Sequence, residues 1–205
     1  MRLENLFMRL SPSRRVDGLW LGVMGDKDDA HVLRRVEDAL KLIKQYDAVR
    51  YRRLLRDMDR IWVHVLTGPR GSFNSTLRRC DLDYRFVSKA PAKAIASTIV
   101  HEATHARPCV LRFGYPEELR YRIERICMRQ QLAFADRLPN GDATRETVER
   151  NLTRPPSDWS SENLRKWHLA GERAAARHVG IPDWLTTILL TLRGVVRRLQ
   201  RKGTR

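Results

Sequence analysis

Residues 98–106 read TIVHEATHA, and this stretch is the starting point for predicting both the fold and the chemistry of the chain. His101 and His105 are four residues apart, so on an α-helix their imidazoles project from one face, one turn above the other, and can bind one metal ion. Glu102 lies about 100° around such a helix from His101. It therefore flanks the ion and can act as a general base toward water. The HExxH pattern thus predicts a helix that carries a metal site and its catalytic base.

A catalytic zinc site usually has three protein ligands and one open position. The extended pattern HExxHxxGxxH is excluded, because Pro108 and Leu111 occupy the positions of its glycine and its third histidine. A carboxylate from the following helix remains, and the candidates are Glu117, Glu118 and Glu124. The helix dipole explains Glu117 and Glu118 at a helix start. We expect the ligand to be Glu124, which lies more than one turn inside a helix that can fold back against the HExxH helix.

The periodicity of apolar residues places the motif in a helix-rich domain. Helices are predicted within residues 26–58 and at about 90–106, 116–138, 143–151, 162–178 and 182–201, with Pro108 ending the HExxH helix. Strands are predicted at 61–65, 73–77 and 80–87, separated by the turn signal at 68–71. Three adjacent strands with short connections predict a small antiparallel sheet. The fold class is therefore α+β, with 1–205 as a single domain, 61–138 as its core and 143–205 as a helical extension.

The segment 61–138 resembles the catalytic core of a gluzincin-type zinc metallopeptidase of the thermolysin-like clan, in its smallest form, the minigluzincin. The resemblance rests on HExxH and the downstream glutamate. It implies one Zn²⁺ per chain, with His101, His105 and Glu124 as ligands and Glu102 as general base and proton shuttle. Zinc would polarise the carbonyl of a peptide or protein substrate, and the edge strand of the sheet could hold that substrate by strand addition.

Two positions depart from the family pattern. Met128 stands one turn after Glu124, where family members often have an acid that orients a zinc-bound histidine, so this partner has to come from elsewhere. Arg107 stands where the extended pattern usually has an apolar residue. The group that stabilises an oxyanion is unassigned, and its candidates, each also suited to a structural role, are Tyr115, Tyr121, His168 and His178.

The chain carries 40 Lys and Arg residues against 24 Asp and Glu, a formal net charge of +16. The basic residues are spread over every segment, which favours solvated helix faces over a nucleic-acid interface as the main role. Two alternatives to an active peptidase remain, namely an inactive zinc-binding interaction module and a basic binder of nucleic acid or anionic membrane. The segment 184–201 is amphipathic and basic, and it could make a peripheral membrane contact.

The cysteine count and the N-terminal residues indicate the cellular compartment. Cys80, Cys109 and Cys127 are odd in number and form no CxxC pair, which favours buried free thiols in a reducing compartment. The N-terminal residues contain no apolar run of signal-peptide length. A cytoplasmic protein is therefore expected.

Overall fold

The computed structural model describes residues 3–25, 28–110 and 116–202, with side chains described for 6–25, 28–109 and 116–193. These residues form a single helix-rich α+β domain. The helices are α1 (Leu3–Leu10), α2 (Asp29–Tyr46), α3 (Ala48–Asp57), α4 (Tyr84–Val87), α5 (Ala92–Val110), α6 (Glu117–Ala135), α7 (Asp142–Leu152), α8 (Ser161–His178) and α9 (Asp183–Lys202), with a 3₁₀ turn at Pro156–Trp159. The strands are β1 (Ser13–Val16), β2 (Leu19–Val23), β3 (Arg60–His64), β4 (Gly71–Asn74) and β5 (Arg79–Asp83).

The sheet has five strands in the order β1-β2-β3-β5-β4. Strands β1 and β2 pair antiparallel, β2 with β3 and β3 with β5 pair parallel, and β4 with β5 pair antiparallel. The prediction of a small antiparallel sheet of three strands is therefore wrong, although the α+β class is confirmed. Strand β5 lies between β3 and β4, and it runs parallel to the first and antiparallel to the second.

The burial of the strands explains this arrangement. All five residues of β5 are buried, and a strand buried on both faces belongs in the interior of a sheet. The predicted strand 80–87 ends at Asp83 because the Asp83 carboxylate accepts a hydrogen bond from the Phe86 amide at 3.1 Å and caps the short helix α4. The tight connection at Arg78, whose φ is +46°, brings β5 back beside β4.

The helices predicted between residues 26 and 58 are present. Asp28 caps α2 by accepting from the His31 amide at 3.0 Å, and Asp47 caps α3 by accepting from the Arg50 amide at 3.0 Å. Asp47 is buried, and Arg137, just beyond α6, lies 2.8 Å from its carboxylate. This carboxylate therefore ties the N-terminal helices to the end of the helix that supplies Glu124.

Helix α5 is the central helix of the domain. Ile95, Ala96, Ile99 and Val100 have no exposed surface, as the apolar spacing predicts, and they belong to the core that also contains the sheet residues. The prediction that Pro108 ends α5 is wrong, because the helix continues to Val110. Pro108 lies in the last turn, where the missing amide removes a single helical hydrogen bond.

The C-terminal helices α7, α8 and α9 occur where the periodicity predicts them. Helix α8 contacts the loop before β4, since a Cβ built on Gly171 would lie 2.4 Å from the Thr67 carbonyl oxygen. The Glu117 carboxylate at the start of α6 accepts hydrogen bonds from the Ser161 amide and hydroxyl, at 2.9 and 2.7 Å. Among the described residues, no helix combines the length and the apolar character that a membrane span requires.

Candidate metal centre

Two antiparallel helices build the candidate site. Helix α5 carries His101 and His105 one turn apart, and α6 runs in the opposite direction beside it. The antiparallel course follows from the contacts, because Gln131 near the end of α6 meets Ser97, whereas Glu124 earlier in α6 meets His105. The predicted helix after the loop therefore does turn back and present its internal glutamate to the HExxH motif.

The three predicted ligands converge on one point. The Nε2 atoms of His101 and His105 are 3.1 Å apart. The Glu124 carboxylate lies 3.2 Å from Nε2 of His101 through one oxygen and 3.4 Å from Nε2 of His105 through the other. All three side chains are largely buried, with 11 to 15 % of each exposed. The pairing of Glu124 with both histidines was inferred from the sequence, and the structure brings the three groups together.

Gln131 fixes the orientation of the first histidine. Its amide nitrogen donates to both the carbonyl oxygen and the hydroxyl of Ser97, each at 3.1 Å. Since a carbonyl can only accept, the amide oxygen of Gln131 faces His101, and Nδ1–H of His101 donates to it at 2.8 Å. In the neutral imidazole this places the lone pair on Nε2, the atom that points at His105 and Glu124.

The two histidines differ in their affinity for a proton. Burial lowers the pKa of His101, but the contact with Glu124 and the negative charge of Glu102 outweigh it and raise the pKa to about 9. Burial and the neighbouring His101 lower the pKa of His105 to about 4. At neutral pH, the metal-free site therefore holds one imidazolium and one neutral imidazole. A metal ion has to displace the proton of His101, so its binding is accompanied by proton release.

Glu102 lies beside this cluster and is only 6 % exposed. Burial raises its pKa to about 7, and the negative charges of Glu124 and Asp81 act in the same direction. Strand β4 lies directly over it, because a Cβ built on Gly71 would come within 3.1 Å of Glu102 Cγ and Oε1. Glu102 thus sits between the HExxH helix and the edge strand of the sheet, with a pKa suited to accepting and returning a proton near neutral pH.

The donor set fits a zinc ion. In a tetrahedral site with metal–nitrogen distances near 2.05 Å, two ligand atoms are separated by about 3.3 Å. The two nitrogens lie 3.1 Å apart, and each carboxylate oxygen lies 3.2 or 3.4 Å from one of them, so all three separations are close to this value. Two imidazoles and one carboxylate also suit the borderline character of zinc better than that of magnesium or calcium, which prefer all-oxygen sites.

Four residues were candidates for stabilising an oxyanion, and three of them lie among the described residues. The ring of His178 lies 6.2 Å from that of Tyr84. The hydroxyl of Tyr121 accepts a hydrogen bond from Arg125 at 3.3 Å, and the guanidinium of Arg125 stacks over its ring. The ring of His168 packs against Gly68 in the loop before β4. These contacts give both side chains structural partners. Tyr115 lies outside the described residues.

Two residues near the centre were not identified from the sequence. Gln131 supplies the orienting contact that Met128 cannot, seven residues after Glu124 and therefore on the same face of α6. Cys127, expected to be an ordinary buried thiol, is free and buried as predicted, yet its sulfur lies within 4.8 Å of the ligand nitrogens of His101 and His105. The sequence indicates both residues only through their spacing, since Cys127 follows Glu124 by three residues and Gln131 follows it by seven. This spacing becomes informative only once Glu124 is accepted as a ligand.

Comparisons with known proteins identify no relative. No protein-family model, no curated protein and no solved structure matches this chain significantly. Function has to be inferred from the geometry of the site.

Proposed function

We propose that this protein is a zinc-dependent hydrolase of peptide bonds, built like a minimal gluzincin. The observation that supports it most is the convergence of His101, His105 and Glu124 at the separations of a tetrahedral zinc site, with a buried carboxyl group, Glu102, beside them. A structural zinc site needs no such additional carboxyl group. A hydrolytic site needs a base at this place.

Zinc bound at these residues supplies a Lewis acid, which polarises a carbonyl group and makes water more acidic. The Glu102 carboxylate accepts the proton of the attacking water and later donates it to the nitrogen of the leaving amine, so the group returns to its starting state. In the metal-free protein, burial raises the pKa of Glu102, so this carboxyl group has a higher affinity for a proton than an exposed glutamate. Gln131 keeps the imidazole of His101 in the required tautomer and orientation.

The edge of the sheet offers a place for an extended substrate. The Asp83 amide donates to the Arg70 carbonyl at 2.9 Å, so alternate residues of β4, starting with Arg70, exchange hydrogen bonds with β5. The backbone groups of Gly71 and Phe73 then point away from β5, at an edge that pairs with no other strand among the described residues. An added peptide strand would satisfy these groups and lie beside the strand that covers Glu102.

The test combines metal analysis with a cleavage assay. Elemental mass spectrometry of the purified protein is expected to give about one zinc per chain, and Glu124→Ala is expected to lose it. A set of quenched fluorogenic peptides of varied sequence then serves as substrate. Glu102→Gln is expected to retain zinc while cleavage falls by about 10²–10⁴-fold, the usual effect of removing a general base. Glu146→Gln, an exposed change on α7, is the matched control.

Zinc at full occupancy with no cleavage of any peptide would contradict the peptidase and favour the inactive zinc-binding module. A protein that binds no zinc even when zinc is supplied would contradict both. Unchanged turnover in Glu102→Gln would refute the role assigned to that carboxyl group.

A second function, contact with an anionic membrane surface, is favoured by α9. Trp184, Ile188 and Leu192 recur every four residues and are 66, 47 and 56 % exposed, so they form an apolar stripe on this helix. The sequence of α9 places five basic residues in its last ten, which suits anionic headgroups. Co-sedimentation with phosphatidylserine-containing vesicles, but not with neutral ones, is expected, and Trp184→Ala together with Ile188→Ala should abolish it. Equal binding to neutral vesicles would contradict the electrostatic part of the proposal.

A further inference from the structure

A fourth potential donor lies beside the three predicted zinc ligands. Cys127 follows Glu124 by three residues on α6 and therefore projects from the same side of the helix. The side chain has no exposed surface. Its sulfur and the ligand nitrogens of His101 and His105 all lie within 4.8 Å of one another. The cluster thus combines two imidazoles, a carboxylate and a thiol, four side chains that can all bind a transition metal.

The distances distinguish Cys127 from the other three donors. In a tetrahedral zinc site with Zn–S near 2.3 Å, a sulfur and a nitrogen ligand are separated by about 3.6 Å. The sulfur lies no farther than 4.8 Å from these nitrogens, so a movement of at most about 1 Å brings it to a coordinating distance. The nitrogens and the carboxylate already lie 3.1 to 3.4 Å from one another. The thiol is therefore placed to enter or leave the coordination sphere by a small movement, while the other three donors are preorganised.

We propose that Cys127 is an exchangeable fourth ligand that closes the metal centre. On binding, the S–H bond breaks, the proton passes to solvent, and a sulfur lone pair forms the bond to the metal; on release, the thiolate takes up a proton again. With the thiolate bound, four protein groups surround the ion, as in structural zinc sites. With the thiolate released, three protein groups and an open position remain, as hydrolysis requires. The inference rests on the metal site of the proposed function, and it makes the resting centre a closed one.

A thiolate ligand has a spectroscopic signature that requires no enzymatic activity. Titration of the full-length, metal-free protein with Co²⁺ is expected to give the visible ligand-field bands of a tetrahedral ion together with a sulfur-to-cobalt charge-transfer band in the near ultraviolet. Cys127→Ser should lose the charge-transfer band and keep the ligand-field bands. Cys109→Ser, which changes a partly buried cysteine on α5, is the matched control and should keep both.

The charge-transfer band can also be assigned to Cys127 without altering that residue, by replacing the other two cysteines. In the double variant Cys80→Ala, Cys109→Ser the thiol of Cys127 is the sole thiol, and the charge-transfer band should persist. Cobalt bound without this band, or a band that survives in Cys127→Ser, would overturn the role of Cys127 and leave the three-ligand site intact. A wild-type protein that binds no Co²⁺ would overturn the metal site itself, and with it the proposed function.

Discussion

Replacement of Gln131 by methionine tests the proposed metal centre at a residue outside the proposed set of ligands. The side chain has a similar length and no hydrogen-bonding amide. The change removes the acceptor at 2.8 Å from Nδ1 of His101 and the donor that serves Ser97. The imidazole is left free to rotate and to place its proton on Nε2, the nitrogen that the metal needs.

The expected loss follows from these contacts. Removal of an outer partner of a metal-bound histidine typically weakens metal affinity by about 10–100-fold, which corresponds to roughly 1.4–2.7 kcal/mol. Counting the lost hydrogen bonds gives a similar free energy, because each one lost from a largely buried group costs about 1 kcal/mol net. We therefore expect the zinc affinity of Gln131→Met to fall within this range. The affinity should not be lost completely, because the three proposed ligands remain.

The assay is competition for Zn²⁺ between the protein and a chromophoric chelator at fixed pH. Gln130→Met is a matched control, because the neighbouring Gln130 bonds Arg50 and has no contact with the histidines. Circular dichroism of the metal-free variants establishes that both are folded. A folded Gln131→Met protein whose zinc affinity equals that of Gln130→Met would refute the orienting role, and the tautomer argument for His101 would fall with it.

Three further predictions concern the same region. In the metal-free protein, burial raises the pKa of Glu102 to about 7, so its contribution to stability falls as pH rises from about 4.5 to 7. The free energy of unfolding of Glu102→Gln should therefore exceed that of wild type at pH 8, by at most about 3 kcal/mol, and equal it at pH 4. A lower melting temperature than wild type at pH 8 would show that pairing with His101 outweighs burial. Gly71→Ala should destabilise the fold by about 1–3 kcal/mol in urea unfolding, because its Cβ would lie 2.8 Å from Cγ2 of Thr98 and 3.1 Å from Glu102. Unchanged stability would contradict this close approach of β4 to α5. Zinc at a hundred times its dissociation constant should stabilise the protein by about 2.7 kcal/mol, which corresponds to a rise in melting temperature on the order of 5–10 °C. EDTA should reverse this rise, and the variant Glu124→Ala should not show it.

The helices α2, α3 and α5 to α9 could be predicted from the sequence because their signals are local, whereas α1 and the short α4 were not predicted. The spacing of Ile95, Ala96, Ile99 and Val100 identifies the buried face of α5 without knowledge of what packs against it. The same helical geometry places His101 and His105 on one face, and the prediction of Glu124 follows from helix length and loop length. These inferences depend on contacts within one helix or between two consecutive ones.

The order of the strands could not be predicted because it depends on contacts between distant parts of the chain. Residues 19–23, LWLGV, form a short apolar run without alternation, which does not distinguish a buried strand from other buried segments. Whether β5 pairs with β3 or only with β4 is decided by burial on both of its faces, a property of the assembled sheet. For the same reason Gln131 and Cys127 could not be distinguished from ordinary helix residues before the register of α5 against α6 was known.

The electrostatics of the cluster give a physical reason for a cation at its centre. In the metal-free protein, Glu102 is buried with the negative charges of Glu124 and Asp81 nearby, and burial raises the pKa of Glu102 while it lowers that of His105. Both shifts mean that the surroundings disfavour the charged form of the group, which is a cost of burial that an apolar core would avoid. A divalent cation between the imidazoles and Glu124 reverses this balance, because it favours ionised carboxylates and takes the place of the proton on His101. The groups that destabilise the empty cluster are thus the groups that a metal ion stabilises, and a purely structural hydrogen-bond network would not require this combination.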